Sequence, residues 1–133
     1  MAINNPYQSY QQNSVNTASP GELTLMLYNG CLKFILLGKK AIEAGKIEEK
    51  NMNLIKAQNI IHELMVTLNM DVAVSKDLMS LYDYMNRRLI DANLKNDIVA
   101  LEEVEGLVTD FRNTWKEAIQ LNRQKQFVQS GQV

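Results

Sequence analysis

The side chains that most often perform catalysis or bind metal are scarce in this chain of 133 residues, which has one histidine, His62, and one cysteine, Cys31. A nucleophile with its base, or a zinc site, needs several such residues together. The Glu-x-x-His motif of two-metal bundles is also missing, since Asn59 stands three residues before His62. The carboxylates of Glu102 and Glu105 fit an acidic first helical turn. We therefore expect no enzyme, no metal and no cofactor.

Charge and cysteine content exclude further classes. Fourteen Lys and Arg against fifteen Asp and Glu give a net charge of −1, so the chain lacks the basic surface of a nucleic-acid binder. One cysteine cannot form an intrachain disulfide. The first twenty residues are uncharged and lack an apolar run, unlike a secretory signal, and the apolar stretch 23–37 is too short for a membrane span. We expect a soluble cytoplasmic protein.

The position of the prolines predicts long helices, because Pro6 and Pro20 precede a stretch of sequence without any proline. Residues 19–22 (SPGE) combine an N-cap serine, a proline at the first helical position and a glutamate at the third. A first helix begins there and should end at Gly45. The pair Asn29-Gly30 alternatively suggests a hairpin, but its flanking leucines and methionines favour the helix.

Apolar residues at steps of three and four predict three further helices. The second covers about 47–68, the third starts at a cap provided by Ser75, and the fourth follows a turn over 93–96 with Asp97 as its N-cap. Four such helices with short connections predict an all-α, antiparallel up-down four-helix bundle. The first helix has two glycines that we expect to allow close helix packing, Gly30 and Gly38.

The chain divides into a cap segment at 1–18, a bundle domain at 19–126 and a flexible tail at 127–133. In the cap segment, apolar side chains recur at helical spacing and predict a lid, which consists of Ile3, Tyr7, Tyr10 and Val15. Burying them would contribute several kcal/mol at ~25 cal/mol/Å², while ordering a dozen residues costs ~1–2 kcal/mol each. The lid is therefore expected to leave when a partner offers more contact; a disordered leader is the alternative.

The first helix has more apolar residues than one seam needs, including Leu25, Leu32 and Leu36. The surplus either widens the core or forms an exposed groove that suits a helical partner. A homodimer with a structural or signalling role, or weaker self-association, would use the same surplus.

Four sequence blocks and a tryptophan together resemble the FliS family of flagellin export chaperones. They are VNTASP at 15–20, MLYNG at 26–30, LYDYMNRRL at 81–89, EEVEGL at 102–107, and Trp115. The resemblance extends from about Tyr7 to Gln120, and it departs from the family pattern at Asn29, where an aspartate is frequent.

The resemblance implies a cytoplasmic chaperone that binds the disordered C-terminal segment of flagellin, prevents premature polymerisation and delivers flagellin to the export gate protein FlhA. It also implies that the segment around Tyr7 and Tyr10 occupies part of the binding groove when flagellin is absent. We predict coupled folding and binding without ATP. Eight groove contacts are predicted, although those in the seams are alternatively core residues: Leu23, Leu27, Tyr28, Tyr82, Met85, Leu89, Asn93 and Asn96.

Overall fold

A computed structural model describes the backbone of residues 20–131 and the side chains of residues 21–125. Its four helices are α1 (Pro20–Glu43), α2 (Ile47–Val66), α3 (Val74–Lys95) and α4 (Ile98–Gly131). Over these residues the chain contains no strand. Helix α1 packs against α2 and α4, and α3 packs against the same two helices. The predicted all-α four-helix bundle is confirmed.

Contacts between helix ends give the antiparallel order. Lys39, late in α1, forms an ion pair of 3.0 Å with Glu102, early in α4. Lys50, early in α2, donates a hydrogen bond to the carbonyl oxygen of Asn93, late in α3. Each helix therefore runs opposite to its neighbours, as the short connections require. The predicted cap segment at 1–18 lies outside the described residues.

The end of α1 follows the sequence prediction. Gly45 has a φ of +72°, a left-handed conformation that costs least in glycine. Its N–H bonds to the carbonyl of Ile42 at 3.1 Å, and the next N–H, of Lys46, bonds to the carbonyl of Ala41 at 2.9 Å. This pair of bonds is a Schellman motif, so the three-residue connection to α2 has a defined geometry.

The N-cap residue was predicted correctly for α4 but not for α3. The carboxylate of Asp97 accepts a hydrogen bond from the N–H of Ala100 at 3.1 Å, which confirms its role as N-cap. The predicted cap at Ser75 is wrong, because Ala73 occupies the N-cap position. The Ser75 hydroxyl lies one residue inside α3 and donates to the carbonyl of Asn69 at 2.6 Å. It therefore fixes the α2–α3 connection.

The core is formed by the seams of all four helices. Its largest fully buried side chains are Ile35, Leu54, Ile60, Ile61, Leu64, Met85, Leu89, Leu101, Val104 and Val108. Helix α2 ends at Val66, close to the predicted residue 68, whereas α4 continues to Gly131, beyond the predicted domain boundary at 126. Helix α4 is therefore the longest of the four helices.

Gly38 allows the close approach of α1 and α2, and its substitution gives a stability prediction. A Cβ atom there would lie 2.4 Å from Cδ2 and 3.0 Å from Cγ of buried Leu54. Overpacking of about 1–3 kcal/mol exceeds the gain of up to ~1 kcal/mol in helix propensity. We expect Gly38→Ala to lower the free energy of unfolding by about 1–2 kcal/mol in chemical denaturation.

Gly106 provides the matched control. A Cβ atom at this helical position would meet nothing within 4 Å. Gly106→Ala should therefore raise the free energy of unfolding by roughly 0.5–1 kcal/mol through helix propensity alone. Effects of the same sign at the two glycines would contradict the packing proposed for Gly38.

Candidate partner-binding site

The two residues with the best-known catalytic chemistry, Cys31 and His62, differ in burial. Cys31 is fully buried, and burial raises the pKa of its thiol to about 12, so the reactive thiolate is suppressed at neutral pH. His62 lies exposed on α2. Over residues 21–125 no group of His, Cys, Asp and Glu side chains is arranged to hold a metal ion. In the same part of the chain, no helix is long and apolar enough to cross a membrane.

Five of the eight predicted groove contacts lie in the core of this structure: Leu27, Tyr28, Tyr82, Met85 and Leu89. Leu23 is half-buried. The predicted residues of α1 and α3 are thus brought together, but across the bundle interior rather than along an open groove. Their contact with a partner stays a prediction, and in this conformation the five core residues offer it almost no surface.

A buried tyrosine pair joins α1 to α3. The hydroxyl oxygens of Tyr28 and Tyr82 lie 2.6 Å apart, and the ring of Phe111 from α4 packs edge-on against Tyr82 with centroids 6.1 Å apart. Burial raises the pKa of Tyr28, partly offset by its bond to Tyr82. Burial and that same hydrogen bond both raise the pKa of Tyr82. The pair therefore stays protonated in the folded protein.

The tyrosine pair should behave as a coupled unit. Tyr28→Phe or Tyr82→Phe leaves one buried hydroxyl without its partner, and each should lower the free energy of unfolding by about 1–3 kcal/mol. The double variant removes both hydroxyls and should cost less than the two single changes added together. Chemical denaturation of the four proteins measures the coupling. Additive single effects would contradict it.

The same pair predicts a loss of stability in alkali. An unfolded tyrosine ionises near pH 10, whereas the folded pair has raised pKa values. The contribution of the pair is therefore complete below about pH 10 and is lost as the pH rises above it. Unfolding free energies measured across this range should fall more steeply for the unsubstituted protein than for Tyr28→Phe/Tyr82→Phe. Equal slopes would contradict the assignment.

Asn93 and Asn96, the remaining predicted contacts, lie beside a buried lysine. The Lys50 ammonium donates to the backbone carbonyl of Asn93 at 2.8 Å and to the side-chain oxygen of Asn96 at 2.6 Å. Asn96 has a φ of 53° and ends α3 in a left-handed conformation, which asparagine tolerates better than most residues. Both asparagines thus have a structural role. The burial of Lys50 was not predictable from the sequence, because its neighbours along the chain are acidic and polar.

An open groove lies between α1 and α2, with a cavity volume of about 600 Å³. We call it the α1–α2 groove, and it is lined by Met26, Asn29, Gly30, Lys33, Phe34, Leu37, Glu49, Met52, Asn53 and Lys56. Leu37 is 37% exposed and Met52 is 50% exposed, so apolar side chains face solvent here. The apolar surplus of the first helix allowed an exposed groove, but none of the eight predicted contacts lines this one.

A second groove, of about 520 Å³, lies on the other side of α1, against α4. Its lining includes Leu32 and Leu36 from α1 and the carboxylates Glu102, Glu105 and Asp110 from α4. The two grooves share Asn29 and Lys33. The exposed edge of α1 is therefore a ridge between an apolar groove and a more acidic one.

Polar contacts hold α4 in position. The Trp115 indole donates to the carbonyl of Gly21 at 2.7 Å, which fastens α4 to the start of α1. On the other side of α4, Glu103 accepts hydrogen bonds from Tyr84 at 2.7 Å and from Arg88 at 2.8 Å. These two bonds lower the pKa of the Glu103 carboxyl. Helix α4 is thereby linked to both α1 and α3.

Comparison with known proteins identifies the family. The sequence matches the family described as "Flagellar protein FliS" over residues 3–122. It is 66% identical over 123 residues to the flagellar secretion chaperone FliS of Bacillus subtilis (strain 168), covering 92% of each chain. It is 38% identical over 109 residues to FliS of Salmonella typhimurium, covering 80% of this chain and 81% of that one. The chain belongs to the FliS family of flagellar secretion chaperones.

A solved structure agrees with the fold. The protein described as "Crystal structure of flagellar chaperone from bacteria" superposes with a TM-score of 0.72 at 20% identity, covering 86% of this chain and 95% of that chain. This likeness concerns the fold alone.

Proposed function

We propose that this protein is a non-enzymatic cytoplasmic chaperone that binds the C-terminal segment of flagellin, prevents its premature polymerisation and delivers it to the export gate protein FlhA. The observation that carries the proposal is the α1–α2 groove, where Leu37 and Met52 are exposed beside a closed core. Membership of a family of secretion chaperones supports a protein client. The flagellin and FlhA assignments rest on the sequence resemblance.

The groove suits a helical client. An amphipathic helix binds such a groove through apolar side chains spaced three and four residues apart. A client segment that is disordered when free loses several kcal/mol on ordering, and burial on the order of 1,000–3,000 Å² offsets this cost. The balance gives binding that holds the client and still permits its release without ATP.

We also propose that the segment 1–18 acts as a lid that competes with the client through Ile3, Tyr7, Tyr10 and Val15. These residues lie outside the described part of the chain, so the proposal rests on their spacing and on the near balance of burial against ordering entropy. Deletion of residues 1–16 should increase hydrophobic-dye binding and change client affinity. If neither quantity changed, the lid would be disproved.

The function is tested by calorimetry with two forms of flagellin. We expect full-length flagellin to bind the chaperone. Flagellin that lacks its C-terminal helical segment should not bind. Undiminished binding of the truncated form would refute the proposed client segment. Sedimentation of the chaperone alone and with flagellin examines the alternative, since a constant dimer that ignores flagellin would favour the structural homodimer.

A further inference from the structure

Two lysines flank one aromatic ring at the α1–α2 groove. The Lys33 ammonium, from α1, lies 5.5 Å from the centroid of the Phe34 ring. The Lys56 ammonium, from α2, lies 5.3 Å from the same centroid. Both distances fall within the range of a cation–π interaction. Both ammonium groups therefore lie over the Phe34 ring, and both lysines line the α1–α2 groove.

Neither ammonium group has an anionic partner among the side chains that the structure describes. Among residues 21–125, no carboxylate lies within ion-pair distance of Lys33 or Lys56, whereas Lys39 pairs with Glu102. The one carboxylate of the groove lining, Glu49, lies two helical turns before Lys56 and faces Lys46 at 3.9 Å. Two lysines against one carboxylate therefore give the lining of the α1–α2 groove a positive balance.

We propose that the client segment docking in the α1–α2 groove carries an aspartate or glutamate at the border of its apolar face, and that this carboxylate pairs with the ammonium groups of Lys33 and Lys56. The inference rests on the proposed function and adds the chemistry that selects the client and fixes its register. An apolar client side chain covers the exposed Leu37, while the carboxylate accepts charge-assisted hydrogen bonds from the lysine ammonium groups. Because the ring already restrains the two lysines, less side-chain entropy is lost on binding.

The test is charge reversal of both lysines, measured by calorimetry with the C-terminal segment of flagellin. We expect Lys33→Glu/Lys56→Glu to weaken binding by about tenfold or more, since reversed charges at an interface repel the partner. The matched control, Lys76→Glu/Lys116→Glu, changes the net charge equally at exposed positions on α3 and α4 and should have little effect. Affinity for the unsubstituted chaperone should also fall with added salt.

Compensating changes in the client identify the carboxylate. Each Asp or Glu of the flagellin segment is replaced by Lys in turn, and one such variant should recover binding to Lys33→Glu/Lys56→Glu. The inference is overturned if Lys33→Glu/Lys56→Glu leaves the affinity within twofold while Leu37→Lys/Met52→Lys weakens it. That result would still support the α1–α2 groove as the binding site. Failure of both pairs to weaken binding would instead reject the groove, and absence of binding to the unsubstituted chaperone would reject the proposed function.

Discussion

Placing lysine at both Leu37 and Met52 is expected to lower the affinity for the flagellin C-terminal segment by about 100-fold. The two side chains line the α1–α2 groove from α1 and α2 and are 37% and 50% exposed. Covering each with a client side chain contributes about 1.5 kcal/mol, and each 1.4 kcal/mol is a factor of about ten in Kd. Calorimetric titration measures the loss.

Equivalent substitutions outside the groove provide the control. Ile55 on α2 and Leu121 on α4 are similarly exposed, but neither lines the α1–α2 groove. Ile55→Lys/Leu121→Lys should bind the client with nearly unchanged affinity while carrying the same added charge. If both double variants lost affinity equally, added charge would account for the effect and the groove would not be the binding site.

Lys50→Met should produce a large loss of stability, of about 2–3 kcal/mol. Lys50 is 6% exposed, and its ammonium satisfies the carbonyl of Asn93 and the side chain of Asn96 at the end of α3. Methionine fills a similar volume but donates no hydrogen bond, so the Asn93 carbonyl and the Asn96 side chain both lose their charged partner. Relief from burying a charge offsets part of the cost. Chemical denaturation measures the difference.

The same substitution four residues earlier separates this role from a general effect of removing a lysine. Lys46 is exposed and forms a long ion pair with Glu49 at 3.9 Å, a contact that contributes little at a protein surface. Lys46→Met should therefore change the free energy of unfolding by less than about 0.5 kcal/mol. A loss comparable to that of Lys50→Met would show that the α3 contacts are not the cause.

Local signals in the sequence were sufficient to predict most helix ends. A glycine able to adopt a positive φ ends α1 at Gly45, and an aspartate whose side chain reaches the third following N–H starts α4 at Asp97. Ser75 has the same local chemistry but bonds to Asn69 instead. Which carbonyl or N–H the Ser75 hydroxyl bonds depends on the fold of the α2–α3 connection. The residues next to Ser75 do not determine that fold alone.

The division between core and groove depends on long-range packing. Periodicity places Tyr28 and Leu37 on apolar positions of α1. However, α1 packs against both α2 and α4, and spacings of three and four do not indicate which side of α1 each of these helices covers. Tyr28 is buried against Tyr82, whereas Leu37 remains partly exposed beside α2. Lys50 was missed for the same reason, since its partners lie on α3.

Site-directed crosslinking tests most directly whether the α1–α2 groove holds the client. Cys31 is fully buried with a thiol pKa raised to about 12, so a thiol-specific photocrosslinker should label only a cysteine introduced at the surface. Met52→Cys places the reagent in the groove, and Leu121→Cys places it on α4 as the control. We predict that only the Met52→Cys protein forms a covalent adduct with flagellin, located in its C-terminal segment. An adduct from Leu121→Cys alone, or one outside that segment, would contradict the account.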